Sequence, residues 1–256
     1  MGRLNEQHAE ARRQRQLSGD ASRADFSEAL ARGLAVLAEF GAERRRMTQA
    51  DLARRLGLSR ATVRRAVLTL EHLGYLTADG RTYELTPRVL GLAEGYLSSN
   101  TVSTVVQPVC DRISRHFKAL CSAAVLDGAD AVMVARSAPQ SLLMVHSGVG
   151  YRVPAQISAL GKVLLAHLPP SGAGSLKEGH KNEVFEEIRR VGHCYVANDV
   201  ESGFHSIAVP IQRWDGRVVA ALNVGGTIDQ LPAADMFGRV LEALQQNAEE
   251  LQRQIV

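Results

Sequence analysis

Arginine carries the most concentrated chemistry in this chain. Between Arg44 and Arg65 stand eight arginines and a single acid, Asp51. A planar guanidinium fork matches phosphate oxygens and guanine edges, whereas a merely hydrated surface mixes its signs. Residues 1–100 hold 16 cations, all arginine, against 12 acids, a net +4; residues 101–256 hold 14 against 15, a net −1. The whole chain of 256 residues carries only +3. Its positive excess therefore sits at one end, as expected of a nucleic-acid module joined to a neutral partner.

Other chemistries fail on spacing. The GK of "ALGKVLL" has no glycine five residues before Gly161, and Val163 stands where a phosphate-binding loop needs Ser or Thr. "GVGYRV" lacks the third glycine of a dinucleotide fingerprint. His180, His193, Cys194 and His205 match no metal-ligand template, and Asp199 and Glu201, two apart, specify no acid–base geometry. There is no GxSxG. Neither an enzyme nor a bound cofactor or metal is expected. Three cysteines, Cys110, Cys121 and Cys194, make an odd number without CxxC spacing, which fits a reducing compartment. No apolar run approaches the roughly 18 residues of a membrane span, and the arginines of the N-terminus have no apolar segment behind them. A cytoplasmic location follows as the expectation.

The elements that position the arginines can be read from periodicity. Residues 1–23 are polar without an apolar face and read as a mobile arm. Phe26, Leu30, Leu34, Leu37 and Phe40 recur at three- and four-residue steps and predict an amphipathic helix. Thr48, with Asp51 three residues on, is placed to cap a helix carrying Leu52 and Leu56; Gly57 breaks it. Ser59 caps another helix, with Val63, Ala66, Val67 and Leu70 inward and Arg60, Thr62, Arg64 and Arg65 on its early outward turns. Two short helices about a glycine-containing turn make a helix-turn-helix. "YLTADGRTYELT" then predicts a hairpin about Asp79-Gly80, a wing with Arg81 at its tip. The candidate DNA-contacting residues are Thr48, Gln49, Ser59, Arg60, Thr62, Arg64, Arg65 and Arg81.

Pro87 starts a further helix with Val89, Leu90, Leu92, Ala93 and Leu97 as its apolar stripe, and "SSNTVST" marks a boundary near residue 100. Beyond it, helical spacing in "VVQPVCDRISRHF" gives way to strand-like runs about Asp127-Gly128, and again in "SLLMVHSGVG". Helices are expected in "SALGKVLLAHLP", capped by Ser158 and stopped by Pro169-Pro170, and in "NEVFEEIRRVG". Two strands flank Trp214-Asp215-Gly216, and a long amphipathic helix begins near Pro232. Antiparallel strands with helices packed on them make an α+β domain.

With "GLSRATVRRAVLTLEHLGYL", "YELTPRVLGL", "VPAQISALGKVLLA" and "SIAVPIQRWDGRVVAALNVGG", the chain resembles the IclR family of bacterial transcriptional regulators from about Phe26 to its end. Within that family it is most similar to the branch governing catabolism of protocatechuate, 4-hydroxybenzoate and related aromatic acids. The resemblance implies a winged helix-turn-helix over residues 24–86, a linker helix over 87–100, and a GAF-like effector-binding and oligomerisation domain over 101–256. It also implies dimers and dimers of dimers on palindromic operators, with a small carboxylate effector. Leu160, Gly161, Phe204, Ser206 and Asn223 stand at positions that line the effector pocket in the family. One departure is that "ANDVES" has Ala197 where an acidic cluster usually begins, keeping Asp199 and Glu201.

Physical chemistry permits an acid at such a site. Ser158 begins a helix whose first amides, through Gly161, are expected free to donate to an anion, and a glycine lets a ligand approach the backbone closely. Tight helix packing is the other reading of Gly161. Arg136 and Arg152 serve either a charge-assisted bond or a surface ion pair. Phe204 and Met144 serve either as ligand wall or as core. A ligand-responsive DNA-binding regulator is the leading function. An architectural DNA binder without a ligand and an enzyme tethered to DNA are the alternatives.

Overall fold

The computed structural model describes residues 26–41, 44–139, 148–168 and 183–255. The arm of residues 1–23, Met144 with most of "SLLMVHSGVG", the Pro169-Pro170 stop and His180 lie outside the described residues. The chain divides into two compact units, Gly2–Tyr96 and Leu97–Val256.

In the first unit, helix α1 (Glu28–Ala38) precedes strand β1 (Met47–Thr48), helix α2 (Gln49–Leu56) and helix α3 (Arg60–His72). Strands β2 (Leu76–Asp79) and β3 (Thr82–Leu85) form the wing, and the two-residue β1 joins them in a sheet of order β1-β3-β2. Leu52, Leu56, Val63, Val67, Leu70 and Leu76 pack in its core. The expected caps are present. Thr48 and Asp51 form a reciprocal capping box, Gly57 takes the left-handed conformation at φ 65°, and the Ser59 hydroxyl accepts from the Thr62 amide.

Helix α1 departs from its expected face. Leu30 and Leu34 are 63% and 56% exposed and the core receives Ala35 and Val36 in their place, while Phe40 is buried as expected. The helix carries apolar residues on two faces, and packing on α3 buries only one. At its end the Glu39 carboxylate is buried and meets Arg55 Nε at 2.8 Å, tying α1 to α2.

Pro87 opens a single 3-10 turn (Pro87–Val89) that runs into helix α4 (Leu90–Ser99). No residue of α4 is buried. The "SSNTVST" stretch is helical on both sides of Asn100. Asn100 accepts from the Val102 amide and caps helix α5 (Thr101–Phe117), so one residue separates two helices. Asparagine and threonine serve here as a cap and a first turn.

The second unit is a six-stranded antiparallel sheet of order β6-β5-β4-β9-β8-β7. Its strands are β4 (Leu120–Asp127), β5 (Asp130–Ser137), β6 (Arg152–Pro154), β7 (Cys194–Ala197), β8 (Phe204–Gln212) and β9 (Val218–Thr227). The Asp127-Gly128 turn joins β4 and β5 as expected, with Gly128 at φ 61°. Strand alternation sorts the side chains between two cores. Cys121, Ala123, Ile207, Val209, Leu222 and Val224 face α5 and the C-terminal helix α8 (Leu241–Gln252). Ala124, Met133, Ala208 and Ala221 face helix α6 (Ala159–Ala166) and helix α7 (Glu183–Val191). The helix expected after Pro232 starts there but is interrupted by a π-turn at Met236–Val240, where Gly238 leaves helical geometry. No described helix is long and apolar enough to cross a membrane.

Candidate nucleic-acid interface and effector site

The arginines between residues 44 and 81 fall into two groups. Arg45 and Arg46 pair with Glu84, Arg46 also with Asp79, Arg54 with Asp51, and Arg55 with the buried Glu39. Arg44 donates from Nε to the Glu39 carbonyl at 2.8 Å. These five bind the unit to itself, so much of the arginine block is structural. Arg60, Arg64 and Arg65, all exposed on α3, and Arg81 at the wing tip have no carboxylate partner among the described residues. At 100° per residue Arg60 and Arg64 share a face. Arg65 turns toward α1, where it lines an open groove of about 620 Å³ with Leu30, Leu34, Thr69 and Leu73.

The smaller polar residues are already engaged within the unit. Thr48 Oγ1 and the Asp51 carboxylate lie 2.7 Å apart in the capping box, and these bonds hold Asp51 below the usual carboxylate range. Gln49 Nε2 donates to Tyr83 Oη at 2.9 Å, linking α2 to the wing strand β3. Ser59 and Thr62 hydroxyls lie 2.9 Å apart. They align α3 and the wing, while the uncompensated guanidinium groups supply the charge.

In the second unit the expected residues separate into two sets. One belongs to the start of α6. Ser158 Oγ accepts from the Gly161 amide at 3.1 Å, so that amide is not free for an anion. A Cβ at Gly161 would lie 2.2 Å from the Ala155 Cα and 2.3 Å from its carbonyl oxygen. The glycine is needed for the approach of the protein's own backbone, the tight-packing alternative of the two readings. Leu160 is buried in the apolar core under α6. Asp199 is paired with Lys162 at 3.1 Å. Arg152 meets Asp127 at 2.5 Å and Asp130 at 3.4 Å, the ion-pair alternative.

The other set lies on the sheet face toward α6. Register pairs Arg136 with Ser122, Ser122 with Asn223, and Asn223 with Ala208 in one row across four strands. In the next row Ser206 pairs with Gly225, and the Phe204 ring lies against Gly225, whose Cβ would come within 2.7 Å of the ring. Asn223 Oδ1 accepts from the Ser122 amide at 3.1 Å. Gln107 of α5 fixes the Arg136 backbone, with Nε2 donating to its carbonyl and Oε1 accepting from its amide. The guanidinium sits over Tyr151, its Cζ 5.8 Å from the ring centroid. Its Nε is buried without a hydrogen-bond partner among the described residues, and burial lowers its pKa from the ordinary arginine value.

Ser122 and Tyr151 did not emerge from the residue pattern. Ser122 is the one hydroxyl in an otherwise apolar run, "CSAAVL", and strict alternation against Cys121 and Ala123 was its available signal. Tyr151 had none, because its place under Arg136 depends on β5 and β6 pairing. His205 faces the opposite side of the sheet, with Nδ1 2.9 Å from Tyr195 Oη; burial holds it below the usual histidine range.

Known proteins share this arrangement. The description "IclR helix-turn-helix domain" matches residues 29–80, and "Bacterial transcriptional regulator IclR C-terminal" matches residues 94–253. The Pca regulon regulatory protein of Pseudomonas putida is 38% identical over 236 residues, covering 86% of this chain and 81% of its own. The crystal structure of a transcriptional regulator from Rhodococcus sp. RHA1 superposes with a TM-score of 0.75 at 33% identity, covering 90% of this chain and 98% of that one. The inducer-binding domain of the PobR transcription factor from Acinetobacter, a double mutant in complex with 3-hydroxybenzoic acid, gives 0.52 at 26% identity over 59% of this chain and 97% of that one.

Proposed function

The chain belongs to the IclR family of bacterial transcriptional regulators, and on that premise we propose how its two units divide the work. As a DNA-binding regulator it lays α3 in the major groove, with Arg60 and Arg64 toward base edges and phosphates. Arg65 and Arg81 reach flanking phosphates. The observation that carries this docking is the selective pairing of the arginines: Arg44, Arg45, Arg46, Arg54 and Arg55 serve the unit's own acids and carbonyls, while Arg60, Arg64, Arg65 and Arg81 have no carboxylate partner among the described residues. An unpaired guanidinium row is what counterion release from duplex DNA requires.

The protein acts in the cytoplasm as a homodimer, or a dimer of dimers, on palindromic operators. Exposed Leu30, Leu34 and Leu73 beside the α1–α3 groove support self-association. Two-fold pairing would place half-sites about one helical turn apart.

The effector is a small organic acid, most consistently a hydroxybenzoate-type intermediate of aromatic catabolism. Its carboxylate is held by Arg136, its ring by Tyr151 and Phe204, and its polar substituents by Ser206 and Asn223. A half-buried guanidinium with no carboxylate partner among the described residues supports an anionic ligand, since an unpaired buried charge is costly. Similarity to the domain complexed with 3-hydroxybenzoic acid supports the same class. The acid changes operator affinity only by binding one conformation better than another.

Selection of duplexes from a random pool by the full chain, followed by titration with benzoate and its hydroxylated derivatives, tests both halves. A two-fold-symmetric consensus whose affinity shifts with an acid is expected. Enrichment of no sequence ends the docking, and indifference to every acid ends the effector assignment.

A further inference from the structure

Five buried side-chain atoms lack a hydrogen-bond partner among the described residues, on Ser103, Ser122, Arg136, His205 and Arg213. Only Ser122 and Arg136 are register partners, on adjacent strands and on the sheet face toward α6. Ser122 is fully buried and its Oγ has no partner. A hydroxyl left in that condition costs the folded protein, and an alanine there would remove the cost. The neighbouring positions of the face, Ala124, Ala208 and Ala221, already carry alanine.

We infer that Ser122 reads a hydroxyl group on the effector, one strand away from the cation that holds the carboxylate. The inference rests on the effector reading proposed above. Cross-strand partners stand about 5 Å apart at Cβ, so Arg136 and Ser122 can address two substituents of one small ring. Their chemistries differ. Arg136 offers donors and a charge, which match a carboxylate. Ser122 Oγ offers one donor and acceptor capacity without charge, which matches a neutral hydroxyl that itself both donates and accepts. Asn223, the other register partner of Ser122, is itself buried and spends its Oδ1 on the Ser122 amide, fixing the strand position of the hydroxyl. A site with a buried hydroxyl built to be paired rejects an analogue that leaves it unpaired. Within the hydroxybenzoate class proposed above, Ser122 is thus the residue that sets the preference for a hydroxylated acid over benzoate.

The experiment measures binding of benzoate and of 3-hydroxy-, 4-hydroxy- and 3,4-dihydroxybenzoate to the full chain by titration calorimetry, with melting of the ligand-free protein alongside. Wild type is expected to favour at least one hydroxylated acid over benzoate by about tenfold or more. Ser122→Ala should erase most of that preference, leave benzoate affinity unchanged, and leave the ligand-free melting temperature equal or raised. Ser122→Cys, similar in size but a weak donor, should fall between them. The inference is overturned if Ser122→Ala retains the preference, if it weakens all acids equally, or if it lowers the ligand-free melting temperature, which marks a structural hydroxyl. Wild type binding benzoate and the hydroxylated acids equally overturns this inference alone. Wild type binding no acid overturns it together with the effector reading.

Discussion

The guanidinium groups of α3 and the guanidinium of Arg136 are chemically identical and physically opposite. On α3, Arg60, Arg64 and Arg65 stand in water, where holding a charge is cheap and its reach is cut by salt within about 10 Å. In the proposed docking several are needed, each contributing a modest, salt-dependent share of the affinity for DNA. Arg136 is partly desolvated against Tyr151, and its Nε has no hydrogen-bond partner among the described residues. One such group suffices, because a charge removed from water binds its counter-ion specifically or destabilises the protein. The surface region thus works by number and the interior region by burial.

The contrast can be broken most severely at Gly161. Gly161→Val is expected to abolish folding of the second unit, because even the first added carbon meets Ala155 backbone at 2.2 Å. The loss of its cooperative melting transition, with the first unit's retained, is the readout. A stable variant lacking only the effector response would restore a ligand role for this glycine. Arg136→Met comes next. It should weaken binding of a hydroxybenzoate by about 100-fold, the loss expected when one partner of a desolvated charge pair is removed. Operator affinity without effector should be unchanged, and an unaltered calorimetric titration would refute the anchor.

Arg64→Ala is expected to weaken operator binding about tenfold, with Arg65→Ala, turned toward the α1 groove, losing less. Anisotropy titrations over a salt series check this: replacing a phosphate contact lowers the salt slope by about one, while replacing a base contact relaxes sequence preference. Equal affinities would place the arginines outside the interface. The smallest effect concerns the frame of α2. Asp51 is held below its ordinary pKa by Thr48, then by Arg54, so its contribution is present above about pH 4, the unfolded value, and is lost as pH falls through the lower folded value. Asp51→Asn should flatten that part of the acid-stability curve of the first unit, and an unchanged curve would count against the capping box.

Much of the frame was legible because its signals are local. Thr48 with Asp51, Ser59 before α3, the Asp79-Gly80 and Asp127-Gly128 turns and Ser158 before α6 each act within a few residues, and each element forms where these residues put it. The misreadings share the opposite property. Leu30 and Leu34 looked inward because apolar periodicity says which residues share a face, not which face is covered. The four-residue β7 is too short to show a period, and pairing with β8 alone makes it a strand. At the candidate effector site Arg136, Asn223, Phe204 and Ser206 could be nominated, while Ser122 and Tyr151 could not.

By itself, the order of residues determined the helices, turns and caps, the arginine excess of the first hundred residues and the absence of catalytic spacing. These depend on neighbours along the chain, and propensity and charge act at that range. Only the tertiary structure decided which arginines are spent on Glu39, Asp51, Asp79 and Glu84 and which remain uncompensated. It alone put Ala155 against Gly161, and Arg136, Ser122 and Asn223 in one row. Those outcomes join residues up to 101 positions apart, and burial, which sets the worth of every charge and hydroxyl, exists only once distant segments have excluded water.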